Sequence, residues 1–171
     1  MSDPAVNVPI ELTSSFVVID SVRLVARRLW VAVEFERRDG SRVLRDGLID
    51  TGAPVSVIPF SIHRAQDLAW RQVSETSAPP ASRRFDAECD FGYLDVWLPG
   101  PDGRAAGPLM LLAKFPRETP RVFQKQRPPV PVLLGLNFFA DLRANVHFQC
   151  YSGSDAGAID IPAWLGPSDR G

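Results

Sequence analysis

One stretch of the chain places an acidic side chain between two apolar runs. Residues 48–59 read LIDTGAPVSVIP, so Asp50, Thr51 and Gly52 follow an apolar pair and precede the apolar, β-branched run at 55–58. Burying an unpaired charge is strongly unfavourable, so a carboxylate on a tight turn between strand-like runs indicates a residue used in chemistry. An aspartate can act as a general acid or base, for example by taking a proton from a bound water. An ordinary turn at a strand end, where Asp and Gly are both common, is the alternative.

A second stretch, residues 130–139, reads VPVLLGLNFF and leads apolar residues directly into Gly135. Asn137 follows, before an aromatic pair and a helix-like ADL. A glycine is needed here if one strand passes close beside the Asp50 loop, because a side chain would block that passage. A plain turn glycine is the alternative.

The remaining segments must position these two stretches, and most of them predict strands. Runs rich in β-branched, aromatic or apolar residues predict strands at 16–25, 29–35, 91–98, 108–115, 145–149 and 159–161. Turn signals at Asp39-Gly40 and at 99–103 separate neighbouring runs. Residues 42–49 are expected to be the strand that delivers Asp50, and residues 59–70 predict a short helix. We therefore expect an all-β domain with one or two short helices.

Length and composition limit the domain organisation and the function classes. The 171 residues suit one domain over 16–161, with a flexible arm over 1–15 and a loop-like tail over 162–171. A net charge of −1 favours neither nucleic acid nor an anionic membrane surface as a partner. The chain shows no long apolar run and no secretory signal, so a cytoplasmic protein is expected.

The cysteines and histidines indicate packing rather than chemistry. Cys89 and Cys150 do not make a disulfide framework, and no Cys or His pair has the spacing of metal ligands, so no metal is expected. His63 and His147 have no Cys, Ser or His partner at a useful spacing, which favours surface or structural roles. A basic run could be imagined as a nucleic-acid strip, but its prolines favour a solvated loop. That run comprises Lys114, Arg117, Arg121, Lys125 and Arg127, with Phe115 and Phe123 between them.

The two stretches, taken in this order, resemble the two signatures of the retropepsins, the single-domain viral and retrotransposon-type aspartic proteases. The resemblance implies a closed β-barrel or sandwich of one pepsin-type lobe that works as a two-fold dimer. It makes Asp50 the catalytic carboxylate, with Thr51 bonding across to its copy in the partner subunit and Gly52 letting its backbone approach the carboxylate and the substrate. The resemblance further assigns Ala53, Pro54 and Gly135 to substrate binding and Asn137 to support of the site.

The chain departs from this family pattern in two places. Pro54 and Leu136 stand where better-known viral members often carry an Asp–Arg pair that braces the dimer. The flap that closes over substrate should fall within residues 74–92, yet glycine is scarce there, with Gly92 near its end. The hairpin around residues 99–107 is the alternative position for a flap.

The resemblance implies an aspartic endopeptidase that acts as a homodimer on a protein or peptide substrate, with no cofactor. No second Asp-Thr-Gly or Asp-Ser-Gly occurs in the chain, so one chain supplies one such aspartate. One alternative is a non-catalytic dimeric module of the same fold that binds peptides or supports assembly. Another is a catalytic domain that is joined to, or docks on, a larger partner.

Overall fold

The structure, a computed structural model, describes residues 6–73, 88–119, 130–142, 145–148 and 155–161. These residues form ten strands and two short helices, which confirms the expected all-β class. The strands are β1 (Val6–Ile19), β2 (Val22–Glu36), β3 (Arg42–Ile49), β4 (Ser56–Val57), β5 (Trp70–Gln72), β6 (Cys89–Pro99), β7 (Ala105–Pro116), β8 (Val132–Leu134), β9 (Asn145–Phe148) and β10 (Asp155–Ile161). The helices are α1 (Phe60–His63) and α2 (Leu136–Leu142).

Six of these strands close into a ring. The sheet order is β5-β6-β7-β4-β8-β3-β2-β1-β10-β9, and β6 pairs additionally with β2. The strands β2, β3, β8, β4, β7 and β6 therefore form a closed circuit. Beyond β6 the sheet continues into β5, and beyond β2 it continues through β1 and β10 to β9.

Alternation along β2 places one face of that strand in the core. Val31, Val33 and Phe35 are buried, whereas the side chains between them are only half-buried. Successive side chains of a strand point to opposite faces, which gives this pattern. Buried residues of β6, β7 and β8 join the same hydrophobic cluster, so the ring encloses the main core.

The N-terminal part of the chain differs from the expected flexible arm. Residues 6–15 belong to β1, which pairs with β10 from Val6 opposite Ile161 to Glu11 opposite Asp155. This pairing buries Val8 and Ile10 completely or nearly so. The expected arm over 1–15 is therefore wrong for residues 6–15, because a partner strand from the far end of the chain orders them.

The run at 16–25, expected to be one strand, is divided between two. Asp20 and Ser21 form a tight turn with φ values of 49° and 68°, and β1 and β2 pair on either side of it. Positive φ at both central residues is what a type I′ hairpin turn requires. The strand expected at 29–35 is confirmed as part of the longer β2.

The hairpin that leads to Asp50 is as the sequence predicts. β3 spans Arg42–Ile49, and the turn before it contains Gly40 with a φ of 81°. The Arg37 N–H donates to the Ser41 carbonyl at 2.8 Å, and the Gly40 N–H donates to the Arg37 carbonyl at 3.0 Å. Asp39-Gly40 thus supplies the positive φ that the turn needs.

The helix expected over 59–70 is much shorter. Pro59 is its N-cap, but α1 ends at His63, and turns follow until β5 begins at Trp70. Trp70 pairs with Leu94 of β6 and stacks on Phe115, with ring centroids 4.2 Å apart. Tertiary pairing of this segment with β6 therefore overrides its helical pattern.

The strands expected at 91–98 and 108–115 are confirmed as the centres of β6 and β7, joined by a turn in which Gly103 has a φ of 80°. Those expected at 145–149 and 159–161 correspond to β9 and β10.

Of the region expected to hold the flap, residues 74–87 lie outside the described residues. The flanking strands β5 and β6 pair antiparallel, up to Gln72 opposite Gly92. Neither helix in the described part of the chain has the length and apolar character needed to cross a membrane.

Candidate active site

Asp50 lies where the parallel strands β3 and β8 end side by side. The two strands pair from Gly47 opposite Val132 to Ile49 opposite Leu134. The next backbone group continues the ladder, because the Asp50 N–H donates to the Leu134 carbonyl at 3.0 Å. This register brings the two stretches singled out in the sequence to the same edge.

The carboxylate of Asp50 is oriented by its own turn. The Gly52 N–H donates to Asp50 Oδ1 at 3.0 Å, and the Ala53 N–H donates to the Asp50 carbonyl at 3.1 Å. Asp50 is half-buried, whereas Thr51 and Gly52 are exposed. The loop therefore presents a backbone-anchored carboxylate beside groups that a partner or substrate can reach.

Gly135 makes the close passage that the sequence predicts. A Cβ on this residue would lie 2.6 Å from the Ala53 carbonyl oxygen, 2.8 Å from the Val55 carbonyl carbon and 3.0 Å from the Ser56 nitrogen. All three atoms belong to the backbone of the Asp50 loop and of the strand after it. The glycine is thus required by proximity, which excludes the alternative of a plain turn glycine.

Backbone hydrogen bonds join the residues after Gly135 to the end of the Asp50 loop. The Leu136 N–H donates to the Ala53 carbonyl at 2.8 Å, and the Asn137 N–H donates to the Pro54 carbonyl at 3.3 Å. Pro54 and Leu136 are exposed, with Leu136 at 50%. Exposed apolar side chains therefore occupy the two positions where better-known viral members often carry the Asp–Arg pair.

The side chain of Asn137 connects three separate segments. Its Oδ1 accepts from the Ser56 N–H at 2.8 Å and from Ser56 Oγ at 3.0 Å. Its Nδ2 donates to the Leu112 carbonyl of β7 at 2.7 Å. The expected supporting residue therefore ties the strand after the Asp50 loop to the neighbouring strand of the ring.

Ser56 belongs to the site and was not singled out from the sequence. It is fully buried, and its Oγ accepts from the Gly135 N–H at 3.0 Å while donating to Asn137. The signal was a hydroxyl within the apolar run 55–58, directly after the Asp50 loop. Such a hydroxyl inside a buried strand needs partners, because an unpaired buried polar group is costly.

The structure thus brings Asp50, Thr51, Gly52, Ala53 and Pro54 together with Gly135 and Asn137. Every expected site residue lies in this one constellation. The two elements that carry them are joined by backbone bonds and by the side chains of Asn137 and Ser56. A carboxylate held in this way can act as an acid or a base without first rearranging its loop.

The other titratable residues fit structural roles. His63 is half-buried against the rings of Phe60, Trp70 and Phe115, and its Nε2 lies 2.9 Å from the Pro116 carbonyl oxygen. Burial lowers the pKa of His63 below its ordinary value, because the charged imidazolium loses hydration. Burial likewise raises the pKa of the Cys89 thiol.

The basic run is not an open strip over its described members. Lys114 is buried, with its Nζ 5.6 Å from the centroid of the Phe91 ring. Arg117 makes ion pairs with Asp90 at 2.7 Å and with Glu88 at 2.9 Å. Arg121, Lys125 and Arg127 lie outside the described residues. Over the described ranges, no group of three or more His, Cys, Asp or Glu side chains is placed to hold a metal ion.

Comparison with known proteins gives no relative: neither the scan against protein-family models nor the search of curated proteins finds a match.

Proposed function

We propose that this chain is an aspartic endopeptidase whose active site contains Asp50 from each of two identical subunits. One observation carries the proposal. The carboxylate of Asp50, anchored by the Gly52 N–H, lies on a loop held by the Gly135 passage and by the Leu136 and Asn137 N–H groups. The two stretches that resemble the retropepsin signatures are thus in contact and joined by backbone hydrogen bonds.

The proposed reaction needs two carboxylates. Two such groups a few ångströms apart do not both ionise readily, so they share a proton. The ionised carboxylate takes a proton from a bound water, whose oxygen attacks the carbonyl carbon of the peptide bond. The protonated carboxyl donates a hydrogen bond to the carbonyl oxygen, and a proton then passes to the leaving amine as the C–N bond breaks.

A second copy of the chain is the natural source of the second carboxylate. The sequence contains a single Asp-Thr-Gly, and a two-fold axis places each Asp50 beside its own copy. Thr51 and Gly52 are exposed, which leaves them accessible to the partner and to substrate. Ala53 and Pro54 would line the cleft, while Asn137 supports the loop from below.

The test is proteolysis of a diverse peptide mixture, with sequencing of the new termini across about pH 3 to pH 8. We expect reproducible cuts with the wild-type protein and none with Asp50→Asn. Asp46→Asn is the matched control, because Asp46 is an exposed aspartate on β3, the strand that leads to Asp50. Tight peptide binding without cuts would identify a non-catalytic binding module instead. Cuts that persist in Asp50→Asn would contradict the proposed role of Asp50.

A further inference from the structure

The hairpin of β1 and β2 extends well beyond the rest of the sheet. Pairing of β1 with β10 ends at Glu11, and pairing of β2 with β3 begins at Trp30. Within the described part of the chain, the strand residues between these points pair only with each other. We call residues 12–29 the arm; this hairpin is not the flexible N-terminal arm that the sequence predicts over 1–15. At about 3.3 Å per residue, each of its strands is roughly 25 Å long.

The arm exposes large apolar side chains along its length. Phe16, Val18 and Val25 are 63%, 68% and 55% exposed, and Val22 and Leu24 are exposed as well. A two-stranded hairpin is marginally stable alone, and unpaired strand edges readily add a further strand. An arm of this composition is therefore typical of a surface that another chain covers.

The register shows from which end of the sheet the arm projects. Trp30 lies opposite Leu48, and β3 runs on from there to Asp50. Because β2 is antiparallel to β3, the arm leaves the sheet at the same end as the Asp50 loop. At the base of the arm, Trp30 Nε1 donates to Thr13 Oγ1 at 2.8 Å, which joins β2 to β1 there.

We propose that the arm docks on the second copy of the chain, with the two arms of the dimer exchanged reciprocally. This inference rests on the proposed function, because two Asp50 residues can face each other only if the second copy approaches the Asp50 end of the sheet. An arm that projects from this end meets that copy. Its length exceeds the radius of gyration of about 15 Å that is typical of a compact chain of this size, so it reaches along the flank of the partner. A two-fold axis makes the second arm do the same in return.

The test replaces three exposed apolar residues of the arm with threonine, which keeps the preference for strands. We expect the triple variant Phe16→Thr, Val18→Thr, Val25→Thr to raise the dimer dissociation constant at least about a hundredfold in sedimentation equilibrium. Leu44→Thr is the matched control. Leu44 is also a strongly exposed apolar strand residue, but it lies towards the 37–41 turn, at the opposite end of β3 from Asp50. We expect the control to change the constant by less than about threefold.

Activity separates this inference from the proposed function. The triple variant should cleave peptides again once its concentration exceeds its raised dissociation constant, because the arm carries no catalytic group. A triple variant that dimerises as tightly as the wild-type protein, or a wild-type protein that stays monomeric, would overturn arm exchange. An arm-dependent dimer that cleaves no peptide would support arm exchange and refute the endopeptidase.

Discussion

The substitution Gly135→Ala tests whether the close passage beside the Asp50 loop is needed for activity. The added Cβ would lie between 2.6 and 3.0 Å from three backbone atoms, and no side-chain rotation relieves such contacts. Overpacking of this kind costs about 1–3 kcal/mol of the unfolding free energy. For a chain of this size, that loss lowers Tm by roughly 2–12 °C. The loop must also move, and a displacement of about 1 Å at a reacting group reduces kcat/KM about a hundredfold.

Thermal unfolding and peptide cleavage should be measured together, with Gly40→Ala as the control. Gly40 has a φ of 81° and nothing within 4 Å of an added Cβ, so its substitution costs about 1–2 kcal/mol through backbone strain alone. Both variants should lose stability, but only Gly135→Ala should lose most of its activity. If Gly135→Ala keeps full activity, or if Gly40→Ala loses as much activity as Gly135→Ala does, the close passage at Gly135 is not what activity requires.

Two further predictions concern the support of the site and the buried histidine. Asn137→Leu and Ser56→Ala should each lower the unfolding free energy by about 1–3 kcal/mol in urea at fixed protein concentration. Asn137→Leu removes the partner of the Ser56 N–H and of the Leu112 carbonyl, and Ser56→Ala removes the partner of the buried Gly135 N–H. The double variant should lose less than the sum, since the two side chains share hydrogen bonds, and strict additivity would argue against one network. Burial lowers the pKa of folded His63, so the unfolded chain binds that proton more readily. The stabilisation is complete above the unfolded pKa of about 6.5 and is lost as pH falls from there towards the folded pKa. His63→Gln should therefore flatten the dependence of unfolding free energy on pH just below pH ~6.5, and an unchanged slope would contradict this.

The sequence predicted the elements around Asp50 because their signals are local. Asp39-Gly40 supplies the positive φ of its turn, and the run that follows it becomes β3 with the expected bounds. The close passage at the glycine of the second stretch can be inferred from its residue type, whereas the supporting role of the asparagine is implied by the retropepsin resemblance. Gly135 permits a close passage, and Asn137 can both donate and accept hydrogen bonds.

The elements that the sequence did not predict depend on distant partners. Residues 6–15 look polar and irregular around Pro9, although Val8 and Ile10 alternate as a strand would. Their order comes from β10, near the other end of the chain. Trp70 lies in a segment with a helical pattern, but in the structure it pairs with β6 as part of the sheet. Ser56 gains its role from Asn137, and no short-range pattern links those two positions.

The central claim is that two chains assemble one active site, and mixed dimers test it most directly. Wild-type protein should be re-equilibrated with increasing proportions of Asp50→Asn, with subunit exchange confirmed by a mass-tagged partner. If a working site needs Asp50 from both subunits, activity should fall as the square of the wild-type fraction, as random two-fold pairing requires. A linear fall under confirmed exchange would mean that each chain works alone and would contradict the proposed dyad.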